Sequence, residues 1–320
     1  MSAIIDPNNR LFELARSSRR LPRFFGAISM ASVFVIGGQI IGVIPLLLLY
    51  GINIFPYDLP PLQTALQEAF ILVCLFVPIL LLLWIWLAVI EKRHFRTLGF
   101  ERIGAIRKYL RGVLIGVGMF TAVVLIMSVL GFTDSESGDP GMQGIPAIGS
   151  VLLIYIGWTV QGPVEEIVMR GWLLPVIGAR YRPWLGIFIS SLVFSSLHIM
   201  NPSINILAIF NIILVGVVFA LIALWEGGLW GVCGLHAAWN WAQGNLFGFE
   251  VSGLMPAAGT LINLKENGPD ILTGGSFGPE AGLITTILFL TACTILLILL
   301  KQKSEQEANN LLDQNSAGTM

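Results

Sequence analysis

Long apolar runs alternate with short polar stretches along the whole 320-residue chain. A helix needs about 17–25 apolar residues to cross a bilayer. Runs of that kind fall at 26–50, 69–90, 113–131, 147–177, 183–201, 204–225, 228–248 and 282–300. They predict an all-α, polytopic membrane protein of about eight transmembrane helices. The first three runs and the last are the clearest; glycines and polar residues interrupt the middle four. The first run exceeds a signal-peptide core of about 7–15 residues and reads as a retained span. The chain then divides into an N-terminal tail (1–25), a transmembrane domain (26–300) and a polar tail (301–320) expected to be loosely ordered. Segment 249–280 is rich in glycine and proline and ends in Gly274-Gly275-Ser276-Phe277-Gly278-Pro279-Glu280. Turn chemistry dominates it, as a non-cytoplasmic loop or as a lid over a membrane-facing cavity.

Composition agrees with this division. The chain is 55% hydrophobic and only 12% charged, against about 25% charged in soluble domains. A soluble domain with a single anchor is excluded. Net charge is −1 and no basic stripe is present, so no nucleic-acid partner is expected. Cys74, Cys233 and Cys293 are dispersed in apolar runs without metal spacing and read as small buried hydrophobes.

Arginines crowd the first 25 residues, and basic residues crowd the loop from Lys92 to Arg111. Arg180 and Arg182 follow the fourth run, and Lys301 and Lys303 follow the eighth. The alternate loops carry Asp58 and Glu68, then Asp134, Glu136 and Asp139; Lys265 breaks the pattern. The positive-inside rule places both termini in the cytoplasm, which requires an even number of spans. The expected location is a bacterial plasma membrane or a related internal membrane, with lipid as the surrounding partner.

Against this background, Glu165, Glu166 and Arg170 are costly. Each charge at membrane depth costs roughly 2.5–3.5 kcal/mol on the mildest scale. The other polar groups in the middle runs are His198, four residues after Phe194, and the pair His236 and Asn240. Residues i and i+4 share a helix face, so Arg170 pairs with Glu166 and holds it ionised in an orienting role. Glu165 points elsewhere and is left to exchange a proton, as a general base must. Runs four and five read as a hairpin turning near Arg180–Pro183. Glu165 and His198 lie at equal arm lengths from that turn, about 22 Å at the helical rise. Each feature has a structural explanation alone: an ion pair, a core histidine, interhelical hydrogen bonding. Together, three runs supply acid–base groups at depths that can match.

Two chemistries suit this set. Glu165, His198 and His236 form a legitimate zinc set, although H-E-x-x-H is missing. Without metal, Glu165 and His198 polarise a water while His236 and Asn240 stabilise an oxyanion.

The ordered motifs E-E-x-x-x-R (Glu165, Glu166, Arg170), F-x-x-x-H (Phe194, His198) and H-x-x-x-N (His236, Asn240) resemble the CPBP family. This is the CAAX protease and bacteriocin-processing (Abi) family of intramembrane proteases, which includes type II CAAX prenyl endopeptidases. The resemblance covers roughly 145–245, and the segment ending at Glu280 is similar to stretches in prokaryotic members. It implies a site inside a helical membrane core and peptide-bond hydrolysis by water activated by Glu165 and His198. His236 and Asn240 would hold the oxyanion, with Glu166 and Arg170 in support. It also implies a glutamate-type reaction without catalytic metal, and a peptide or protein substrate that is membrane-associated or lipidated. Some members act instead in immunity or assembly without catalysis, which keeps a non-enzymatic role as the alternative. A proton-coupled transporter is the third reading, weakened by the lack of an internal repeat.

Overall fold

The structure is a computed structural model and describes residues 4–51 and 59–317. Asp58, one of the acidic loop residues named above, lies outside that range. A short helix α1 (Arg10–Arg16) starts on Asn9, whose side chain accepts from the Leu11 N–H. Helices α2 (Phe24–Leu49), α3 (Pro61–Glu91) and α4 (Ala105–Val129) follow. Helix α5 (Ile145–Arg180) opens with a 3₁₀ turn over Ile145–Ala147, is α-helical over Ile148–Glu166, π-helical over Ile167–Leu173 and α-helical again over Leu174–Arg180. Then come α6 (Pro183–Ser196), α7 (Ile206–Glu226) and α8 (Trp230–Trp241), the last continued by a π turn over Ala242–Leu246.

Among the described residues, six helices are long and apolar enough to cross a membrane: α2, α3, α4, α5, α7 and a C-terminal α10 beginning at Leu283. All eight apolar runs fall on helices, but the count of eight spanning helices is not reached. Helix α6 has 14 residues and α8 has 12. Helix α6 stops at Ser196, and the chain turns through Leu197–Met200 before Asn201 and Pro202. A proline disfavours helical backbone in the residue before it. Helix α8 is buried at every position from Gly231 to Asn240. A short helix that is buried on all faces is a core element rather than a lipid-facing one.

Helix α8 packs closely on α4 because glycines line the seam. A Cβ on Gly112 would collide with the Gly231 carbonyl, one on Gly116 with the Leu235 carbonyl, and one on Gly234 with the Tyr109 carbonyl. Small residues let membrane helices approach backbone to backbone. Gly112→Val is expected to force this seam apart and destabilise the fold by about 1–3 kcal/mol. Thermal unfolding in detergent checks this, and an unchanged midpoint would contradict it.

The segment after α8 is mostly irregular. Strand β1 (Thr133–Ser135) pairs antiparallel with β2 (Leu264–Glu266), Thr133 opposite Glu266. A short helix α9 (Asp270–Thr273) and two 3₁₀ turns lead into α10 (Leu283–Ala317). Helix α10 thus runs on through the region expected to be loosely ordered. Lys301–Glu305 and Lys303–Glu307 pairs, 3.8 and 4.0 Å apart, lie along this extension, and such i,i+4 pairs support a helix without burial.

Burial pushes the Glu266 carboxyl from 4.5 up to about 7, with Glu250, Asp270 and Glu136 adding to the effect. The folded protein therefore keeps a proton between pH 4.5 and about 7 that the unfolded chain has already lost. This contribution makes stability fall as pH rises through that window. Glu266→Gln is expected to flatten the dependence of unfolding temperature on pH there. A slope as steep as wild type would place its origin elsewhere.

Candidate active site

Helix α5 brings the first motif to the centre of the bundle because Gly162 lets α8 approach. A Cβ at Gly162 would lie 2.9 Å from the Ala237 nitrogen and 3.2 Å from the His236 ring. One turn further along α5, Glu166 and Arg170 are fully buried, and Arg170 Nη1 donates to Glu166 Oε1 at 2.9 Å. Arg170 Nη2 donates to the Gly216 carbonyl at 3.0 Å. Its guanidinium lies 4.5 Å from the Phe194 ring centre and 5.4 Å from that of Phe219. The motif phenylalanine therefore packs on the motif arginine, a cation–π arrangement suited to a desolvated cation.

The π turn that holds Arg170 is tied down from outside. Trp172 Nε1 donates to Glu91 Oε1 at 2.6 Å, and Trp86 Nε1 donates to the same oxygen at 2.8 Å. Arg93 Nε donates to Glu91 Oε2 at 2.6 Å. A wholly buried carboxylate thus joins the end of α3 to α5 and receives charge-assisted hydrogen bonds. Single-turn π segments concentrate at functional sites, and this one begins directly after Glu166.

His236 has a partner that helical spacing does not reveal. Its Nδ1 lies 2.9 Å from Glu166 Oε1, the oxygen that Arg170 also uses. Its Nε2 lies 3.6 Å from Glu165 Oε2. That oxygen is buried and accepts no hydrogen bond from the protein. The two adjacent glutamates are therefore unequal, as helical spacing predicts, but Glu166 orients a histidine as well as an arginine. Asn240 Nδ2 donates to Gln161 Oε1 at 2.8 Å.

His198 lies just beyond α6, in the turn. Its Nδ1 is 2.8 Å from the Phe194 carbonyl. A carbonyl can only accept, so Nδ1 carries the proton and Nε2 is left as an acceptor in the neutral ring. Among the described residues no hydrogen bond or ion pair joins Glu165 directly to His198.

Glu165, His198, His236 and Asn240 line one cavity of about 630 Å³, while Glu166 and Arg170 stand behind its wall. Val35 and Ile36 of α2 and Leu72, Leu75 and Phe76 of α3 make its apolar side. Residues from Val251 to Pro256 also line it, so part of the Gly/Pro-rich segment meets the site. Gln161, Glu68 and Glu280 also line it, none of them a site residue in the sequence reading. Glu68 Oε2 accepts from the Ala258 N–H at 2.8 Å. Glu280 Oε1 accepts from the Ser252 N–H at 2.5 Å, and burial pushes its carboxyl up to about 7. The Gly-Pro-Glu stretch was the only signal that could have flagged Glu280; nothing in the sequence marked Gln161.

Among the described residues no three His, Cys, Asp or Glu side chains converge as a set able to hold a metal ion.

Residues 147–242 match the family model described as type II CAAX prenyl endopeptidase Rce1-like. That stretch holds Glu165, Glu166, Arg170, His198, His236 and Asn240. No curated protein and no solved structure matches the chain.

Proposed function

We propose that this chain, whose residues 147–242 match the model of the Rce1-like CAAX protease family, cuts a peptide bond inside the membrane with a water activated by Glu165 and His198. The match supports a membrane peptidase acting on a peptide or protein. The finer reading rests on one observation. Four acid–base and donor groups share a cavity, and the Glu165 oxygen nearest His236 has no hydrogen-bond partner in the protein.

Glu165 Oε2 and His198 Nε2 are both acceptors. A water donating one hydrogen to each turns its lone pair toward a carbonyl carbon. Glu165 takes the proton as the carbon–oxygen bond forms, and later gives it to the departing amine. The free hydrogen on Asn240 Nδ2 donates to the oxyanion, and His236 does so from Nε2 in its doubly protonated form. No step passes through a metal, and metal analysis of the purified active protein tests that point.

The apolar side of the cavity suits a substrate that is membrane-associated or lipidated. The loop charges support an orientation with both termini in the cytoplasm. The test is quantitative proteomics of membrane peptides in cells carrying wild type or Glu165→Gln. Accumulation of an uncut protein, with loss of its fragment, is expected only in the variant. Identical peptide sets would instead favour a non-enzymatic role.

A further inference from the structure

We infer that Glu280 is a positioning residue for His198, acting through Ser252 and Asn201; this rests on the hydrolytic reading above. His198 needs such support because no helix carries it. Helix α6 ends at Ser196, and His198 sits in the turn that follows. Its ring is fixed at one end by the Phe194 carbonyl, 2.8 Å away. The backbone of that turn is held from the opposite side. The Asn201 N–H donates to the His198 carbonyl at 3.0 Å, and Asn201 Nδ2 donates to the Ser252 carbonyl at 3.0 Å. The Ser252 N–H donates in turn to Glu280 Oε1 at 2.5 Å. Both polar groups of one peptide residue, Ser252, therefore link the histidine turn to the carboxylate.

Ser252 adopts φ +51°, a left-handed conformation unusual for a residue with a side chain. Strained backbone of this kind persists only where its surroundings hold it, and it gathers at functional sites. The Asn201 and Glu280 bonds supply that hold.

Glu280 is itself well fixed. Asn211 Nδ2 of α7 donates to the Glu280 and Gly282 carbonyls at 2.8 and 3.0 Å, and Thr286 donates to Asn211 Oδ1 at 2.7 Å. The chain of bonds thus runs from the paired helices α7 and α10, through Glu280, Ser252 and Asn201, to His198. Among the described residues no lysine or arginine forms an ion pair with Glu280. Besides Ser252, the Trp239 side chain hydrogen-bonds to Glu280 and His236 acts on it electrostatically, so the tether to His198 is the part of its surroundings that runs through Ser252 and Asn201.

Two readouts test this on the full-length protein in detergent. Hydrogen–deuterium exchange of segment 197–203 needs no substrate. Glu280→Ala and Asn201→Ala are each expected to speed exchange there, and the double variant to add little more. In cleavage assays, Glu280→Ala is expected to lower kcat by about 10–100-fold through misplacement of His198, with KM largely kept. Glu280→Gln retains an acceptor and should restore most of kcat and of the protection. Unchanged exchange in both alanine variants overturns the inference, as does a Gln variant as impaired as Ala. If wild type cleaves nothing, the hydrolytic reading fails, while the exchange data still decide whether the tether exists.

Discussion

Purified Glu165→Gln protein is expected to lose about 10²–10⁴-fold in cleavage rate, the usual contribution of a general base, while unfolding like wild type. The second half of that expectation distinguishes the two adjacent glutamates. Glutamine has the shape of glutamate but cannot take a proton. Among the described residues Glu165 makes no ion pair with lysine or arginine and its Oε2 has no hydrogen-bond partner, so the exchange costs the fold little. His198→Ala should give a comparable loss, because the water would keep only one of its two acceptors. Single-turnover cleavage of a peptide identified from cells, beside thermal unfolding of the same samples, measures both quantities. Full activity in either variant would remove these residues from the mechanism.

The opposite pattern is expected one residue along. Arg170→Met should destabilise the protein by about 3–5 kcal/mol, the cost of leaving a buried carboxylate without its cation. Arg170 and Glu166 are both wholly buried, 2.9 Å apart, and the guanidinium also packs on Phe194 and Phe219. Methionine fills much of that space but carries no charge. The double variant Glu166→Gln/Arg170→Met removes both charges and should recover a substantial part of the loss. Denaturant midpoints in one detergent decide the matter: a single variant as stable as wild type would show that the pair contributes no net stability.

The parts of the site that the sequence could express are those set by local geometry. Glu166 and Arg170 are four residues apart on one helix, and their pairing follows from the helical repeat. The inequality of Glu165 and Glu166 follows from the same repeat. Long-range partnerships leave no such trace. Nothing in the spacing of His236 announces that its Nδ1 meets Glu166, seventy residues earlier. Gln161 and Asn240 meet only because Gly162 lets two helices touch. The eight apolar runs locate helices, since apolar length is a composition property. Hydropathy cannot separate a spanning helix from one buried by protein on every side, and α8 is both apolar and buried along its length. The histidine of the second motif was placed near the end of a helix and lies just past it, because Asn201 and Pro202 end the helical path sooner than apolarity does.

The loop segment that lines the cavity divides this protein into parts with different freedom to change. The groups assigned to hydrolysis lie on or beside α5, α6 and α8, where a shift of one residue would rotate a side chain out of the cavity. Val251–Pro256 lies in irregular backbone, and loops tolerate insertion and substitution far better than packed helices. The exposed side chains at its tip, Leu254 and Met255, can vary without touching the buried charges. A lineage built on this scaffold could acquire new substrates by rewriting a few loop residues while its chemistry stayed constant.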